Sequence, residues 1–197
     1  MTRGLLIALV AVVIFVVGVL AWAVSVNNQL VVAEQNVNER AQVQNVYQRR
    51  ADLVPNLVET VKGFAAQERT VLEEVTRARA SASSIQLTPQ ALTDPKALER
   101  FQAAQNQLSG ALSRLLVTVE RYPDLKSNAN FLALQTQLEG TENRITVERR
   151  RFNEAVRDYN TRLRLFPGSV VASRAGYQPK AFFEATGDAA TAPKVKF

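Results

Sequence analysis

The hydrophobic pattern divides the chain into one long apolar run and a series of amphipathic segments. Residues Gly4 to Val26 carry no charge and are rich in Val, Leu, Ile and Ala. A helix of that length covers about 34 Å, which is enough to cross a hydrocarbon core of about 30 Å. The pattern therefore predicts a transmembrane helix over residues 4–26, preceded by a short flank of residues 1–3.

A cleaved signal peptide is the alternative interpretation of this run. Met1 to Arg3 form a short basic start, and Ala21-Trp22-Ala23 has the small-x-small form of a cleavage site. The run is longer than the usual apolar region of a signal peptide, about 7–15 residues, which favours an uncleaved anchor. Since Arg3 lies before the run and the residues directly after it are neutral, the positive-inside rule favours an internal N-terminus and an external body.

Beyond the run, three-four spacing of apolar residues predicts four amphipathic helices over residues 27–166, the first continuing from the span. Helices joined by short loops pack antiparallel, so the expected fold is an all-α, up-down-up-down four-helix bundle. The predicted inward positions include Leu30, Ala33, Val37 and Tyr47; Leu57, Val61, Phe64, Glu68, Val75 and Ala82; Leu98, Phe101, Gln105, Leu108 and Leu115; and Phe131, Leu138, Ile145, Phe152 and Tyr159.

Proline and capping residues predict where these helices end. The first turn is expected at Arg49–Asn56, with Asp52 as N-cap and Pro55 in the first turn of a second helix over about 53–83. A kinked but continuous helix is the alternative there. The other predicted breaks are a loop over 83–95, with Asp94 or Thr93 as the next cap, a turn over 122–128, and an irregular tail over 167–197.

The up-down topology brings the first and third predicted turns to the same end of the bundle, away from the membrane. Polar and aromatic side chains of both turns would then form a docking surface for a protein partner. The alternative is that these residues only cap helices and shape turns. The candidate residues are Arg49, Arg50, Asp52, Asn56, Glu120, Tyr122, Asp124, Lys126, Asn128 and Asn130.

A second candidate is a polar layer inside the predicted bundle. A carboxylate on an apolar stripe is costly unless it is paired, so Glu68 is expected to meet an arginine or shared amide donors. The predicted pairings place Glu68 near Arg40, and Gln105 within reach of Glu142 or Arg149. The expected role of this layer is to fix helix register rather than to transfer protons.

The tail is the third candidate, because aromatic residues alternate there with basic ones. Tyr177, Lys180, Phe182 and Phe183 are predicted to lie in the lipid interface, with the aromatic rings inward and Lys towards headgroups. The alternative is that the paired phenylalanines fold back and cover the bundle.

Composition narrows the chemistry that the chain can perform. The sequence has no Cys and no His, which excludes thiol nucleophiles, disulfides, Cys/His zinc sites, Ser-His pairs and the Glu-x-x-His ligands of a di-iron bundle. No cofactor, metal or enzymatic activity is therefore expected. The net charge is +6, but the basic residues are interspersed with Glu, which favours anionic lipid or an acidic partner over nucleic acid.

Three motifs in order resemble the LemA family. Residues 49–58, RRADLVPNLV, resemble its RR-DL-PNLV signature; residues 122–126, YPDLK, resemble its YPDLKAN element; and residues 138–145, LEGTENRI, resemble its LEGTENRI run. Phe152 stands where the family usually has Tyr, and Ser127 where it has Ala. The resemblance implies a bacterial single-pass membrane protein with a helical-bundle body and no agreed catalytic residues.

The sequence therefore predicts a non-catalytic interaction or scaffold protein in the bacterial cytoplasmic membrane, with its body external. Membrane lipid and either a protein partner or a second copy of the chain are the expected partners. The alternative is an adaptor or an obligate subunit of a membrane enzyme, such as a protease or a sensor system.

Overall fold

The computed structural model of the protein describes residues 2–184, and all regular secondary structure in this range is helical. This confirms the predicted all-α class. The helices are α1 (Thr2–Arg40), α2 (Val43–Phe64), α3 (Arg69–Ser84), α4 (Pro95–Val119), α5 (Pro123–Lys126), α6 (Ala129–Arg164) and α7 (Gly168–Ala175), with a 3-10 turn at Ala91–Thr93.

The chain forms two compact units. One contains residues 1–39 and 154–180, and the other contains residues 40–153 and 181–197. They are called unit 1 and unit 2 below, and both refer to the described residues only.

The predicted turn at Arg49–Asn56 is wrong, because α2 runs through it with Pro55 inside the helix. Asp52 therefore caps nothing; its carboxylate accepts a hydrogen bond from the Gln48 side chain within the same helix, at 2.9 Å. The alternative of a continuous helix is the correct one.

A contact from α3 explains how α2 tolerates the proline. Pro55 has no N–H, so the carbonyl of Ala51, four residues earlier, loses its helical donor. Nε of Arg79 donates to this carbonyl at 2.8 Å. Since a buried orphan carbonyl is costly, the arginine replaces the missing hydrogen bond and allows the helix to continue.

The breaks in this part of the chain lie on either side of the predicted turn. Residues 41–42 separate α1 from α2, and residues 65–68 separate α2 from α3. Ala65 leaves the helical region with φ −135° and ψ 51°. The predicted helix over 53–83 is therefore two helices. Glu68 is the residue before α3 rather than part of an inward stripe, and Phe64, predicted inward, is 44% exposed.

Two other helix starts agree with their capping signals. Asp94 accepts a hydrogen bond from the N–H of Lys96 at 3.0 Å, and Pro95 is the first residue of α4. Asn128 precedes α6 and accepts from the N–H groups of Asn130 and Phe131 at 3.0 and 3.1 Å. Both caps satisfy donors that have no partner inside the helix.

The hydrophobic core of unit 2 draws on α2, α3, α4, α5 and the first part of α6. Helix α3 packs against both α2 and α4, and the short α5 contacts the same two helices. The cluster contains Val54, Leu57, Val61, Ala65, Leu72, Val75, Ala78, Ala82, Leu108, Ala111, Leu112, Leu115, Val119, Leu125, Phe131 and Leu138.

Unit 1 is built on the second half of α1. Val26, Leu30, Ala33 and Val37 are buried at helical spacing, whereas the large apolar residues between Leu5 and Leu20 are all exposed. The end of α6 and α7 supply further buried residues of the unit, which are Ala155, Val156, Tyr159 and Ala172.

The tail contains an additional helix, so its predicted irregularity is wrong for residues 168–175. The first residue of α7 is Gly168, where an added Cβ would lie 2.0 Å from the carbonyl oxygen of Arg162. Only glycine permits this close approach. Gly176 ends the helix at φ 78°, a left-handed conformation that also favours glycine.

Candidate functional site

The main polar site of unit 2 is centred on Arg50, whose side chain crosses from α2 to α4 and α6. Nη1 donates to Oγ of Ser109 at 2.6 Å and to Oε1 of Glu142 at 2.7 Å. Nη2 donates to the carbonyl and the side-chain oxygen of Gln105, at 3.2 and 2.5 Å. One guanidinium therefore connects three helices, and these residues are called the Arg50 network below.

Burial makes the Arg50 network a low-dielectric site. Arg50 is only 1% exposed, and Gln105 is 5% exposed and donates its own amide to the carbonyl of Ala82 at 3.2 Å. Glu142 is different, since 40% of its side chain is accessible to solvent. The carboxylate at the edge thus neutralises a buried cation, while Nε of Arg50 has no hydrogen-bond partner in the structure.

An aromatic residue closes the network on one side. The guanidinium carbon of Arg50 lies 5.3 Å from the centre of the Tyr47 ring, a cation–π arrangement. Burial raises the pKa of Tyr47, although the positive charges of Arg149 and Arg50 act in the opposite direction. Tyr47 therefore remains neutral at physiological pH and packs edge-on against Phe101 at 5.1 Å.

The predicted polar layer is only partly assembled by the structure. Gln105 and Glu142 do meet, through Arg50, but Arg149 instead donates to the side chain of Gln102 at 3.1 Å. Arg40 is exposed at the end of α1 and does not join Glu68. Glu68 does meet an arginine, as expected, but its partner is Arg121 at 3.2 Å.

The predicted docking surface is divided into two places. Arg49, Asp52 and Asn56 are exposed along the middle of α2, and Arg50 is buried, so none of these residues lies at a turn. The turn that meets the 120–130 segment is the one at residues 65–68. It begins nine residues, or about 13 Å, beyond Asn56 along α2.

Hydrogen bonds between these two turns centre on Tyr122. Its hydroxyl donates to Oε1 of Glu68 at 2.7 Å and accepts from the side-chain amide of Gln67 at 3.0 Å. The bond to Glu68 raises the pKa of Tyr122, because ionisation would place a negative phenolate against the carboxylate. Lys126 and Glu120 form an exposed ion pair on the same segment. Asp124, Asn128 and Asn130 also lie there, with Asn128 acting as the cap of α6.

In unit 2, residues 181–184 of the tail pack onto the helices. Asn153 uses its side-chain amide to bind the backbone N–H and carbonyl of Phe183, both at 2.8 Å. The Phe183 ring is 3% exposed and packs edge-on against Phe152 at 5.0 Å. Arg149 covers the same ring at 5.3 Å.

Unit 1 holds its part of the tail with the same type of amide contact. Asn160 binds the backbone carbonyl and N–H of Lys180 at 2.8 and 2.9 Å. The Lys180 side chain is 5% exposed and pairs with Glu34 of α1 at 2.8 Å. Burial also raises the pKa of Tyr159, whose hydroxyl donates to the carbonyl of Gln178 at 3.1 Å.

These contacts correct the predicted lipid interface of the tail. Lys180 and Phe183 are buried in protein, and the hydroxyl of Tyr177 pairs with the side chain of Asn27 at 3.2 Å. Of the four residues, Phe182 is the most exposed, at 42%. The predicted alternative, in which the paired phenylalanines fold back and cover the helices, is correct for Phe183, whereas Phe182 stays exposed. Phe197 and the other residues after 184 lie outside the described residues.

Several residues of these sites are not predicted by the sequence. Ser109 and the two asparagines, Asn153 and Asn160, were not predicted as site residues. A sequence pattern could have indicated the two asparagines. Each follows an aromatic residue, Phe152 or Tyr159, and the two pairs are seven residues apart. Among residues 2–184, no group of His, Cys, Asp or Glu side chains is arranged to hold a metal ion.

The geometry defines the general class of protein. It is an all-α protein with a buried polar site that connects three helices, and its N-terminal helix is long and apolar enough to cross a membrane. A family model described as the LemA family matches residues 39–197. The chain therefore belongs to the LemA family. No curated protein matches the chain.

Proposed function

We propose that this LemA family protein is a single-pass membrane protein whose helical body acts as a non-catalytic interaction or scaffold module. Residues 4–26 form the anchor, residues 27–166 a bundle based on four helices, and residues 167–197 a tail. The proposed cellular location is the cytoplasmic membrane of a bacterium, with the body on the external side.

One observation carries the proposal. Helix α1 is continuous from Thr2 to Arg40, but its two halves have opposite environments. The large apolar side chains from Leu5 to Leu20 are exposed, whereas Val26, Leu30 and Val37 are packed inside unit 1. An apolar surface of that size is unfavourable in water and suits a bilayer, while the packed half of α1 joins the anchor to unit 1.

The polar sites support a structural role for the body. The guanidinium of Arg50 is enclosed by Tyr47, Gln105, Ser109 and Glu142, and it connects helices to one another. A buried, paired charge of this kind is best suited to fixing helix register. Partner binding is then assigned to exposed charges such as Arg49 and Lys126. The partner is either a second copy of the chain or another protein.

Cell fractionation of the full chain tests the anchor. We expect the protein to remain with membranes after alkaline carbonate extraction, and we expect its N-terminal sequence to begin at or near Met1. A mature chain that begins after Ala23, or one released by carbonate, would refute the anchor and support a secreted helical protein.

Cysteine labelling tests the orientation, because the chain contains no Cys. A Gln107→Cys variant carries one exposed thiol in α4. A membrane-impermeant maleimide should label it in cells whose outer membrane is permeabilised. Labelling that requires disruption of the cytoplasmic membrane would place the body on the internal side.

The interaction role is tested by cross-linking and mass spectrometry of the detergent-extracted protein. We expect Arg49→Ala with Lys126→Ala to keep the fold and to lose the cross-linked partner, and Arg100→Ala, an exposed arginine outside the predicted surface, to keep both. An unchanged partner set in the double variant would show that neither of these exposed charges takes part in partner binding. A membrane protease bound in equal amounts would support the adaptor alternative.

A further inference from the structure

The corner between α6 and α7 exposes a group of apolar side chains in unit 1. Leu165 is 61% exposed, Phe166 is 74% exposed and Val170 is 49% exposed. Single exposed apolar residues are common on soluble proteins, but a contiguous group of large ones usually marks a binding surface. These three residues are called the α6–α7 corner below.

The α6–α7 corner lies at the end of the apolar run of α1. The ring centres of Phe166 and Trp22 are 5.9 Å apart, and Trp22 is itself 45% exposed. Trp22 is four residues from the end of the run, and Val26 is the first buried residue along α1. Tryptophan at the end of a membrane span usually lies at headgroup level, so Phe166 is held at the same level.

The charge of the surrounding segment suits an anionic lipid surface. Between residues 159 and 180 the sequence contains Arg162, Arg164, Arg174 and Lys180, and no Asp or Glu. Arg162 pairs with Asp158, and Lys180 pairs with Glu34. Arg164 and Arg174 are exposed on either side of the corner in sequence, where their charges are available to lipid phosphates.

We propose that the α6–α7 corner inserts into the boundary between headgroups and acyl chains of an anionic bilayer, next to the anchor. Phe166, Leu165 and Val170 supply the apolar contact, and Arg164 and Arg174 supply the contact with phosphate. The lipid contact predicted for residues 177–183 is thereby transferred to residues 164–174. This inference rests on the proposed membrane anchor, and it adds a second membrane contact that fixes how deeply unit 1 is seated.

A series of single-tryptophan proteins tests the proposal, because Trp22 is the one tryptophan in the sequence. In a Trp22→Phe background of the full chain, tryptophan replaces Ile14, Phe166 or Gln35 in turn. Each protein is reconstituted in phosphatidylglycerol vesicles with acyl-chain-brominated lipid as quencher. Gln35 is the control, because it is exposed and lies nine residues or about 13 Å beyond Val26 along α1.

We expect brominated lipid to quench the tryptophan at positions 14 and 166 and to leave position 35 unquenched. Acrylamide in the water should show the opposite order. If position 14 is quenched but position 166 behaves like position 35, the corner does not enter the bilayer and the anchor stands. If position 14 is not quenched either, the anchor itself is wrong.

Two further outcomes separate lipid from other ligands of the corner. Protection of position 166 from acrylamide without quenching by brominated lipid would show that protein, such as a second copy of the chain, covers the corner, and would overturn the proposal. Quenching at position 166 should weaken in neutral phosphatidylcholine vesicles and in an Arg164→Gln, Arg174→Gln variant. Equal quenching in all of them would overturn the contact with anionic headgroups.

Discussion

The ion pair between Arg50 and Glu142 offers the sharpest test of how the body is held together. Changing Glu142 to Gln keeps the size of the side chain and removes its charge. The guanidinium of Arg50, whose side chain is 2% exposed, then remains buried without a counter-charge. Since the cost of burying Arg50 is no longer offset, we expect the variant to be clearly less stable than the wild type.

The structure sets the size of this effect. Two unit charges about 4 Å apart at an effective dielectric constant of about 20 attract each other by about 4 kcal/mol. Solvent reaches 40% of the Glu142 side chain and screens part of this attraction. We therefore expect a loss of about 2–3 kcal/mol, below the roughly 3–5 kcal/mol typical of breaking fully buried pairs.

A double-mutant cycle isolates the pair from the rest of the network. Arg50→Met retains most of the apolar stem and removes the charge, leaving the side-chain oxygen of Gln105 without its donor. In that background Glu142→Gln should cost less than about 0.5 kcal/mol, because a partly exposed carboxylate loses little when no cation is near. The resulting coupling energy is about 2 kcal/mol.

Urea unfolding of the full chain in mild detergent, followed by far-UV circular dichroism, measures each corner of the cycle. Arg49→Met is the matched control, since Arg49 precedes Arg50 on the same helix but is exposed, and it should change stability by less than about 0.5 kcal/mol. A coupling energy near zero, with Arg50→Met and Glu142→Gln each behaving like the control, would refute the register role of the network.

Three other expectations follow from the fold. Arg79→Met should destabilise the protein by about 1–2 kcal/mol, because a backbone carbonyl loses its hydrogen bond. The loss should be much smaller in a Pro55→Ala background, where the helix regains its own N–H donor. Urea unfolding of the wild type, the two single variants and the double variant measures both effects. Gly168→Ala should lower the melting temperature, because the added Cβ would lie 2.0 Å from a backbone oxygen. Gly140→Ala is the control: its added Cβ has no neighbouring atom within 4 Å, so the change should stabilise α6 by up to about 1 kcal/mol. The pKa of all four tyrosines is raised, three chiefly by burial and Tyr122 chiefly by its bond to a carboxylate, so tyrosinate absorbance of the folded protein should rise at higher pH than in urea. Because the folded state holds these protons more tightly, the stability they contribute is present below about pH 10 and is lost as the pH rises above it; coincident titrations of folded and unfolded protein would contradict this.

Local interactions made much of the helical structure predictable from the sequence. The apolar run, most of the three-four spacing of buried residues and the caps at Asp94 and Asn128 depend on neighbours within about four residues, and the structure contains them. The family motifs are equally local, and the match to the family model confirmed the LemA membership that they indicated.

Long-range contacts decided the features that the local sequence does not determine. From the sequence, Pro55 looked like the start of a helix. The hydrogen bond that allows α2 to continue through it comes from Arg79, which is 24 residues away in the next helix. The pairing of Glu68 with Tyr122 is also invisible to local rules, since it requires the second break at residues 65–68.

Arg50 shows the same limit most clearly. As one of two adjacent arginines it resembled an exposed docking residue, and only tertiary packing distinguishes it from Arg49. A single helical step of about 100° places one arginine in solvent and the other against Gln105 and Glu142. The sequence alone determined that the chain is helical and where an apolar segment stands; tertiary structure decided which charges are buried, because burial depends on residues distant in the chain.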